Sequence, residues 1–246
     1  MKYRNYIFDL YGTLIDIHTD ESQGILWEFM ADYLYVNFLT KTTADKLLKD
    51  YKAICAEEEK KLAAINGSNY PEIKIEKVWG RLIGKPVSEE EMRKLCVTFR
   101  KKSRDKLVRY DGVAELMKRI KADGGKVFLL SNAQRLFTES ELEDTELLQY
   151  FDDIFISSDQ GIKKPDGLFL ERLIQKNKLV KSECVMIGNE VMADCGVAAA
   201  AGIDVIYINS YDHSAEEIDR DLHRCGAATA SINVELLDGG AYEQIN

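Results

Sequence analysis

Short apolar runs bracketed by turn residues occur at the start of the chain and through its second half, while the segment between them has a helical period. Tyr6 to Phe8 reads as a short buried strand that runs into Asp9 and a turn at Gly12. From about Asp20 to Lys106 the apolar residues recur at three and four. Leu26, Phe29, Met30, Tyr33 and Leu34 make one stripe, Leu47, Leu48, Tyr51 and Ile54 a second, and Val78 with Leu82 a third, which predicts an all-helical block. The run Asn66, Gly67, Ser68, Asn69, Tyr70, Pro71 is a loop inside that block. A second turn at Gly84, Lys85, Pro86 precedes a helix opened by Ser88 and Glu91 in capping-box spacing.

After Asp111-Gly112 helix and strand alternate. Val113 to Ile120 is a predicted helix ended by Asp123-Gly124-Gly125. The buried strands are Val127 to Leu130, Ile154 to Ser157, Cys184 to Ile187 and Val205 to Ile208. Leu168 to Gln175 and the Ala-rich Cys195 to Ala201, closed by Gly202, are the helices between them, and a last strand falls near Ala230 to Val234. Strands joined by helices of this length imply a parallel sheet of the doubly wound α/β class.

Composition narrows the function more than the fold. With 246 residues and 46% hydrophobic content the chain can bury a sizeable core, and its length suits one large domain or a core with a smaller insert. The net charge of -9 comes from acids spread along the chain, and no basic stripe offers itself to nucleic-acid phosphates or to an anionic membrane. The N-terminal MKYRNYIFDLYG has too short an apolar run for a secretory leader or a membrane span, so a cytoplasmic location is expected. Cys55, Cys96, Cys184, Cys195 and Cys225 form an odd set without CxxC spacing, as expected of reduced, mostly buried thiols.

Four positions stand where loops should leave the carboxyl ends of strands, the crevice in which open α/β sheets place their ligands. They are Asp9, Ser131, Lys164 and the cluster Asn189, Glu190, Asp194. Together they supply a nucleophile, a hydroxyl donor, a cation and further carboxylates, which is a hydrolytic set. Each also has a plainer reading: Asp9 as a turn residue, Ser131 as a helix N-cap, Glu190 pointing to solvent and Asp194 capping the Ala-rich helix.

The segments that hold these residues, IFDLYGTL, LLSNA, KKPDG and IGNEVMADCGVAAAAGI, occur in an order and spacing that resembles the haloacid dehalogenase superfamily of hydrolases, in its helical-cap subclass. The resemblance implies a Rossmann-like doubly wound core, residues 1–16 and 107–246, with an inserted all-helical cap domain, residues 17–106. Asp9 takes the place of the family's covalent nucleophile. Thr13 and Ser131, helped by Asn132, would donate hydrogen bonds to the transferred group, and Lys164 would neutralise charge on it. Mg²⁺ would be held by Asp9, the Tyr11 carbonyl, Asp194 and either Glu190 or Asn189; without a cation, three ionised carboxylates at one sheet edge would repel each other. The partner implied is a small molecule, the assembly a monomer or homodimer. The cap would close over Asp9 and select the substrate, with Asn66 to Glu76 as one place where its side chains could reach the site.

Tyr11 divides the functional readings. Phosphatases of the family have a second aspartate there, acting as general acid and base, a contribution typically worth about 10²- to 10⁴-fold. Haloacid dehalogenases have tyrosine, and halide leaves without a proton. Yet Leu170 stands where the dehalogenases place a second tyrosine, and their Ser/Asn-rich fourth motif is replaced by Gly188, Asn189, Glu190, Val191. The expectation is a Mg²⁺-dependent hydrolase of small phosphorylated metabolites, weakened or specialised by Tyr11. The alternatives are a metal-independent 2-haloacid dehalogenase and a binding or regulatory protein that kept the fold.

Overall fold

A computed structural model covers residues 1–246. Its elements in chain order are β1 (Asn5–Phe8), β2 (Ile15–Thr19), α1 (Gly24–Phe38), α2 (Ala44–Asn66), α3 (Ile75–Ile83), α4 (Glu89–Ser103) and β3 (Arg104–Arg109). The second half continues with α5 (Val113–Ala122), β4 (Lys126–Ser131), α6 (Arg135–Asp144), β5 (Asp153–Ile156), α7 (Ser157–Gln160), α8 (Gly167–Asn177), β6 (Cys184–Gly188), α9 (Gly196–Ala201), β7 (Asp204–Asn209), α10 (Ala215–Arg224) and β8 (Val234–Asp238).

Six strands form one parallel sheet in the order β5-β4-β1-β6-β7-β8. β1 is buried along its whole length because it lies mid-sheet with helices on both faces, which is why NYIF shows no alternation of polar and apolar residues. One face packs Tyr6, Phe8, Val127, Leu129, Val185 and Ile187 against α5 and the C-terminal segment. The other packs Ile7, Phe128, Leu130 and Met186 against α8, α9 and α10. The sheet therefore separates two apolar layers, and the order reverses between β1 and β6, where a ligand crevice belongs in this class.

The inserted block is α1 to α4, closed around its own core of Trp27, Tyr51, Trp79 and Phe99, whose rings stand 5.0–6.4 Å apart. Ser88 and Glu91 make the expected reciprocal cap of α4. The block is not helical to its ends. β2 and β3 pair antiparallel as a separate two-stranded ribbon, Ile15 opposite Arg109, through which the chain leaves the sheet and returns to it. The helical reading up to Lys106 thus fails at residues 104–106. RDKLVR is charged and mostly solvated, so no apolar stripe marks it as strand, and only the partner strand makes it one. No helix of the protein is long and apolar enough to cross a membrane.

Two further elements differ from expectation. The segment Val191–Cys195 is a π-helical turn ahead of α9, so the Ala-rich helix begins at Gly196 and not at Cys195. The last strand is Val234–Asp238, starting at the residue on which the segment expected near Ala230 to Val234 ends.

Candidate active site

Asp9 leaves the end of β1, and its amide donates to the Ile187 carbonyl of β6 at 2.8 Å, so the strand pairing itself fixes the first residue of the turn. The turn then closes on Leu10, whose carbonyl accepts from Thr13, Leu14 and Ile15. Gly12 has φ +77°, and a Cβ there would stand 2.2 Å from the Asn189 amide nitrogen; glycine is required on both counts.

Lys164 is the centre of the arrangement. Its ammonium donates to Asp9 Oδ1 at 2.6 Å and to Asp194 Oδ1 at 2.7 Å, with all three side chains buried. Asn132 holds the Lys164 main chain from both sides, accepting from its amide at 2.8 Å and donating to its carbonyl at 3.1 Å. Asp194 is fixed in turn by the Glu190 amide, which donates to Oδ2 at 2.9 Å. Gly188 makes room for that carboxylate: a Cβ there would lie 2.1 Å from Asp194 Oδ2. Asp194 thus faces the site and does not cap the Ala-rich helix: it lies inside the π-turn before α9, and its carboxylate turns back to the Glu190 amide and to Lys164.

Two carboxylates share one ammonium, which leaves the buried group with a negative balance. Burial pushes the Asp9 carboxyl up to about 7; Lys164 opposes the rise, and the Asp194 charge adds to it. Lys164 moves above its ordinary range, since the two carboxylates outweigh the burial that works against its charge. Thr13 donates to Asn189 Oδ1 at 3.0 Å and stands 3.4 Å from Asp9 Oδ2; Asn189 donates to Ser210 Oγ at 3.1 Å. Asp9 Oδ2 is thus the weakly engaged oxygen of the group. The Thr13 hydroxyl links it to Asn189 Oδ1, and oxygen donors with a negative balance are the chemistry that suits a hard divalent cation such as Mg²⁺.

Ser131 ends β4, the strand beside β1, with Phe8 opposite Leu129. Its hydroxyl is fully buried and has no hydrogen-bond partner. A buried hydroxyl is normally paired, so an orphaned one at a sheet crest points to an absent acceptor.

Tyr11 turns away from this group. Its hydroxyl donates to Glu141 Oε2 at 2.6 Å and lies 3.1 Å from Thr138 Oγ1, both on α6. Arg100 of α4 donates to the other Glu141 oxygen at 2.7 Å, with its guanidinium 5.6 Å from the centre of the Tyr11 ring. Burial and the Glu141 charge raise the phenol above its ordinary range, so Tyr11 is held as a neutral donor. Glu190 is exposed, and only its main chain reaches Asp194. The structure thus brings together Asp9, Thr13, Asn132, Lys164, Asn189 and Asp194, sets Ser131 at the neighbouring strand end, and sends the Tyr11 and Glu190 side chains elsewhere. The Tyr11 partners Arg100, Thr138 and Glu141 went unrecognised in the sequence. One signal was available: Glu141 follows Phe137 by four, an acid on the buried stripe of α6. Cys195, beside Asp194, is buried and its thiol is pushed up by that burial, which makes it inert.

Comparison with known proteins identifies the family and the fold. Residues 3–202 match the family model described as haloacid dehalogenase-like hydrolase. A pyrimidine 5′-nucleotidase of Streptococcus pneumoniae is 31% identical over 86 residues, 35% of this chain and 36% of that protein. A phosphoglycolate phosphatase of Nitrosospira multiformis is 28% identical over 99 residues, 40% of this chain and 43% of that protein. The matches thus span well under half the length of either relative. Among solved structures, a HAD phosphatase from Thermococcus onnurineus superposes with TM-score 0.56 at 16% identity, covering 95% of this chain and 94% of its own. An L-2-haloacid dehalogenase from Xanthobacter autotrophicus gives 0.52 at 16%, covering 96% and 94%. At such identities the two structures speak for the fold alone.

Proposed function

The chain belongs to the haloacid dehalogenase-like hydrolase family, and from that premise we propose that it is a Mg²⁺-dependent phosphatase of small phosphorylated metabolites with Asp9 as its nucleophile. The observation that carries this reading is the unpartnered Ser131 hydroxyl, buried at the strand end next to the Asp9–Lys164–Asp194 group. A phosphoryl oxygen is the acceptor that such a hydroxyl and ammonium lack. The two sequence relatives support it, since both are named for removing phosphate.

In this reading an Asp9 oxygen attacks phosphorus, the bond to the leaving oxygen breaks with its electron pair, and an aspartyl phosphate forms. Water then attacks that phosphorus, releasing phosphate and restoring the carboxylate. Lys164 keeps its charge throughout and offsets the charge that collects on the phosphoryl oxygens, while Ser131 and Thr13 donate to them. Asp9, the Tyr11 carbonyl, Asn189 and Asp194 would hold Mg²⁺, which when bound supplies further charge neutralisation at the phosphoryl group. Glu190, exposed, is dropped from that set. Residues 17–106 act as the cap that excludes water and selects the substrate.

Because the Tyr11 hydroxyl is committed to Glu141, no side chain in the turn delivers a proton to the leaving group. The enzyme is therefore specialised for groups that depart as anions, such as aryl or acyl phosphates. The dehalogenase reading draws on Tyr11 alone; Leu170, at the place of that family branch's second tyrosine, is packed in the core beneath the sheet. Hydrolysis of p-nitrophenyl phosphate, an alkyl phosphate and 2-chloropropionate, each with and without Mg²⁺, tests the choice. Metal-dependent turnover confined to the aryl ester and lost in Asp9→Asn is expected. Metal-independent chloride release would replace the phosphatase by a dehalogenase.

A further inference from the structure

The loop between α2 and α3, residues 67–74, is bound to the core close to Lys164. The Lys163 amide donates to the Tyr70 carbonyl at 3.0 Å and the Glu72 amide to the Gly161 carbonyl at 3.1 Å, with Pro71 opposite Ile162 in an antiparallel bridge. Ser68 bonds Asp166 at 2.5 Å and Asn66 donates to Gly161 at 2.9 Å. The inserted block thus makes a single antiparallel bridge to the segment that immediately precedes the site lysine.

Within this contact Glu72 has a particular place. Its Oε2 accepts from Ser157 Oγ at 3.0 Å and its Oε1 from Gln134 Nε2 at 3.0 Å. The Gln134 side chain also donates to the Ile73 carbonyl at 3.0 Å and accepts from the Ile75 amide at 2.8 Å, so the side chain is gripped by the inserted block alone, while its main-chain carbonyl stays bonded to α6. Ser157 Oγ meanwhile accepts from the Ala133 amide at 2.8 Å. Both partners of Glu72 therefore bear on the loop Ser131-Asn132-Ala133-Gln134, the loop that carries the orphaned hydroxyl and the asparagine that clamps Lys164. Ala133 is held by Ser157 and Ser158 of the core whether or not the inserted block is docked, whereas the Gln134 side chain loses every partner named here when it is not.

We propose that Glu72 is a positioning residue: by bonding Ser157 and Gln134 it makes the placement of Ser131 and Lys164 conditional on docking of the 67–74 loop. The inference deepens the phosphatase reading and rests on it for its catalytic consequence, but the physical coupling between the two loops stands apart from any activity. A glutamine at 72 can still accept from Gln134 and donate to Ser157, whose hydroxyl then turns to the Ala133 carbonyl 3.2 Å away; an alanine can do neither.

The test is a comparison of Glu72→Ala, Glu72→Gln, Gln134→Ala and the Glu72→Ala/Gln134→Ala pair. Amide hydrogen exchange is followed with and without beryllofluoride as a phosphoryl mimic, alongside p-nitrophenyl phosphate kinetics. Glu72→Ala should lower kcat about ten- to a hundredfold, Glu72→Gln should recover most of it, and the double variant should be no worse than the worse single one because both remove the same link. Amides 131–135 should lose protection together with 66–74. Faster exchange confined to 66–74, with kcat unchanged, would overturn the proposal. If the wild type hydrolyses no phosphate ester, the phosphatase reading fails on its own, and the exchange data still decide whether Glu72 couples the loops.

Discussion

Asp9 is buried and shares a single ammonium with Asp194, and the burial above all sets its protonation. A nucleophilic carboxylate must be ionised, and burial pushes this one up to about 7. Turnover of p-nitrophenyl phosphate at low Mg²⁺ should therefore pass through half of its maximum near pH 7, level off above it and fall below it as Asp9 takes up a proton. Raising Mg²⁺ should move that limb to lower pH, because a nearby cation favours the charged form. The kcat/KM profile at two metal concentrations checks both signs; a limb that ignores the metal would remove Asp9 from the cation's reach. Gly188 is the second residue whose identity the site dictates. Gly188→Ala puts a methyl 2.1 Å from the Asp194 carboxylate and must displace it, and with it Lys164. The expected result is a loss of about 10²-fold in kcat with a folded circular-dichroism spectrum, whereas unchanged activity would mean that the Asp194–Lys164 contact is dispensable.

Elements were legible where burial is uniform and obscure where it is shared. β1, β4, β6 and β7 are apolar runs packed on both faces, so their residues alone announce them. β2 and β3 are a solvated ribbon in which each strand exists by virtue of the other, and their residues are 85 or more positions apart in the chain, as with Thr19 and Arg104. The π-turn before α9 escaped notice because no local pattern marks it; within it Asp194 bends back to accept from the Glu190 amide. The edge of the sheet illustrates a similar side-chain clamp with a measurable consequence. Asp204 accepts from the Asn233 amide at 2.9 Å, its side chain at 2.8 Å and Tyr3 at 2.8 Å, tying the starts of β7 and β8 to the N-terminus. Partial burial raises the Asp204 carboxyl, but these bonds outweigh it and hold the group below its ordinary value. The stability they confer is full above the unfolded value of about 3.9 and is lost as pH falls through the folded one. Asp204→Ala should cost about 1–2 kcal/mol at pH 7, read as a lower Tm, and the gap from wild type should close as pH falls through the depressed folded value. A gap that persists in acid would assign the effect to packing.

For the molecule as a whole, the order of four motifs along the chain revealed the family because each comes to the same sheet edge, three at strand ends and Lys164 on the loop between α7 and α8. What the order could not reveal is how the inserted helices meet that edge. Tyr11 reaches Glu141 across 130 residues, and Glu72 reaches Ser157 across 85. Neither pair has a local pattern, since each joins a turn or loop to an element brought near only by the finished fold. Those contacts give the account its particular content: a nucleophile turn without a proton donor, under a helical block that holds the loops carrying Ser131 and Lys164. Its central claim is that Asp9 becomes covalently phosphorylated. Mixing the protein with p-nitrophenyl phosphate and Mg²⁺, quenching in acid and mapping phosphate by mass spectrometry tests this directly. A phosphorylated aspartate at Asp9, absent without Mg²⁺ and absent in Asp9→Asn, is the predicted result; ester hydrolysis with no label at Asp9, or with the label undiminished in Asp9→Asn, would contradict it.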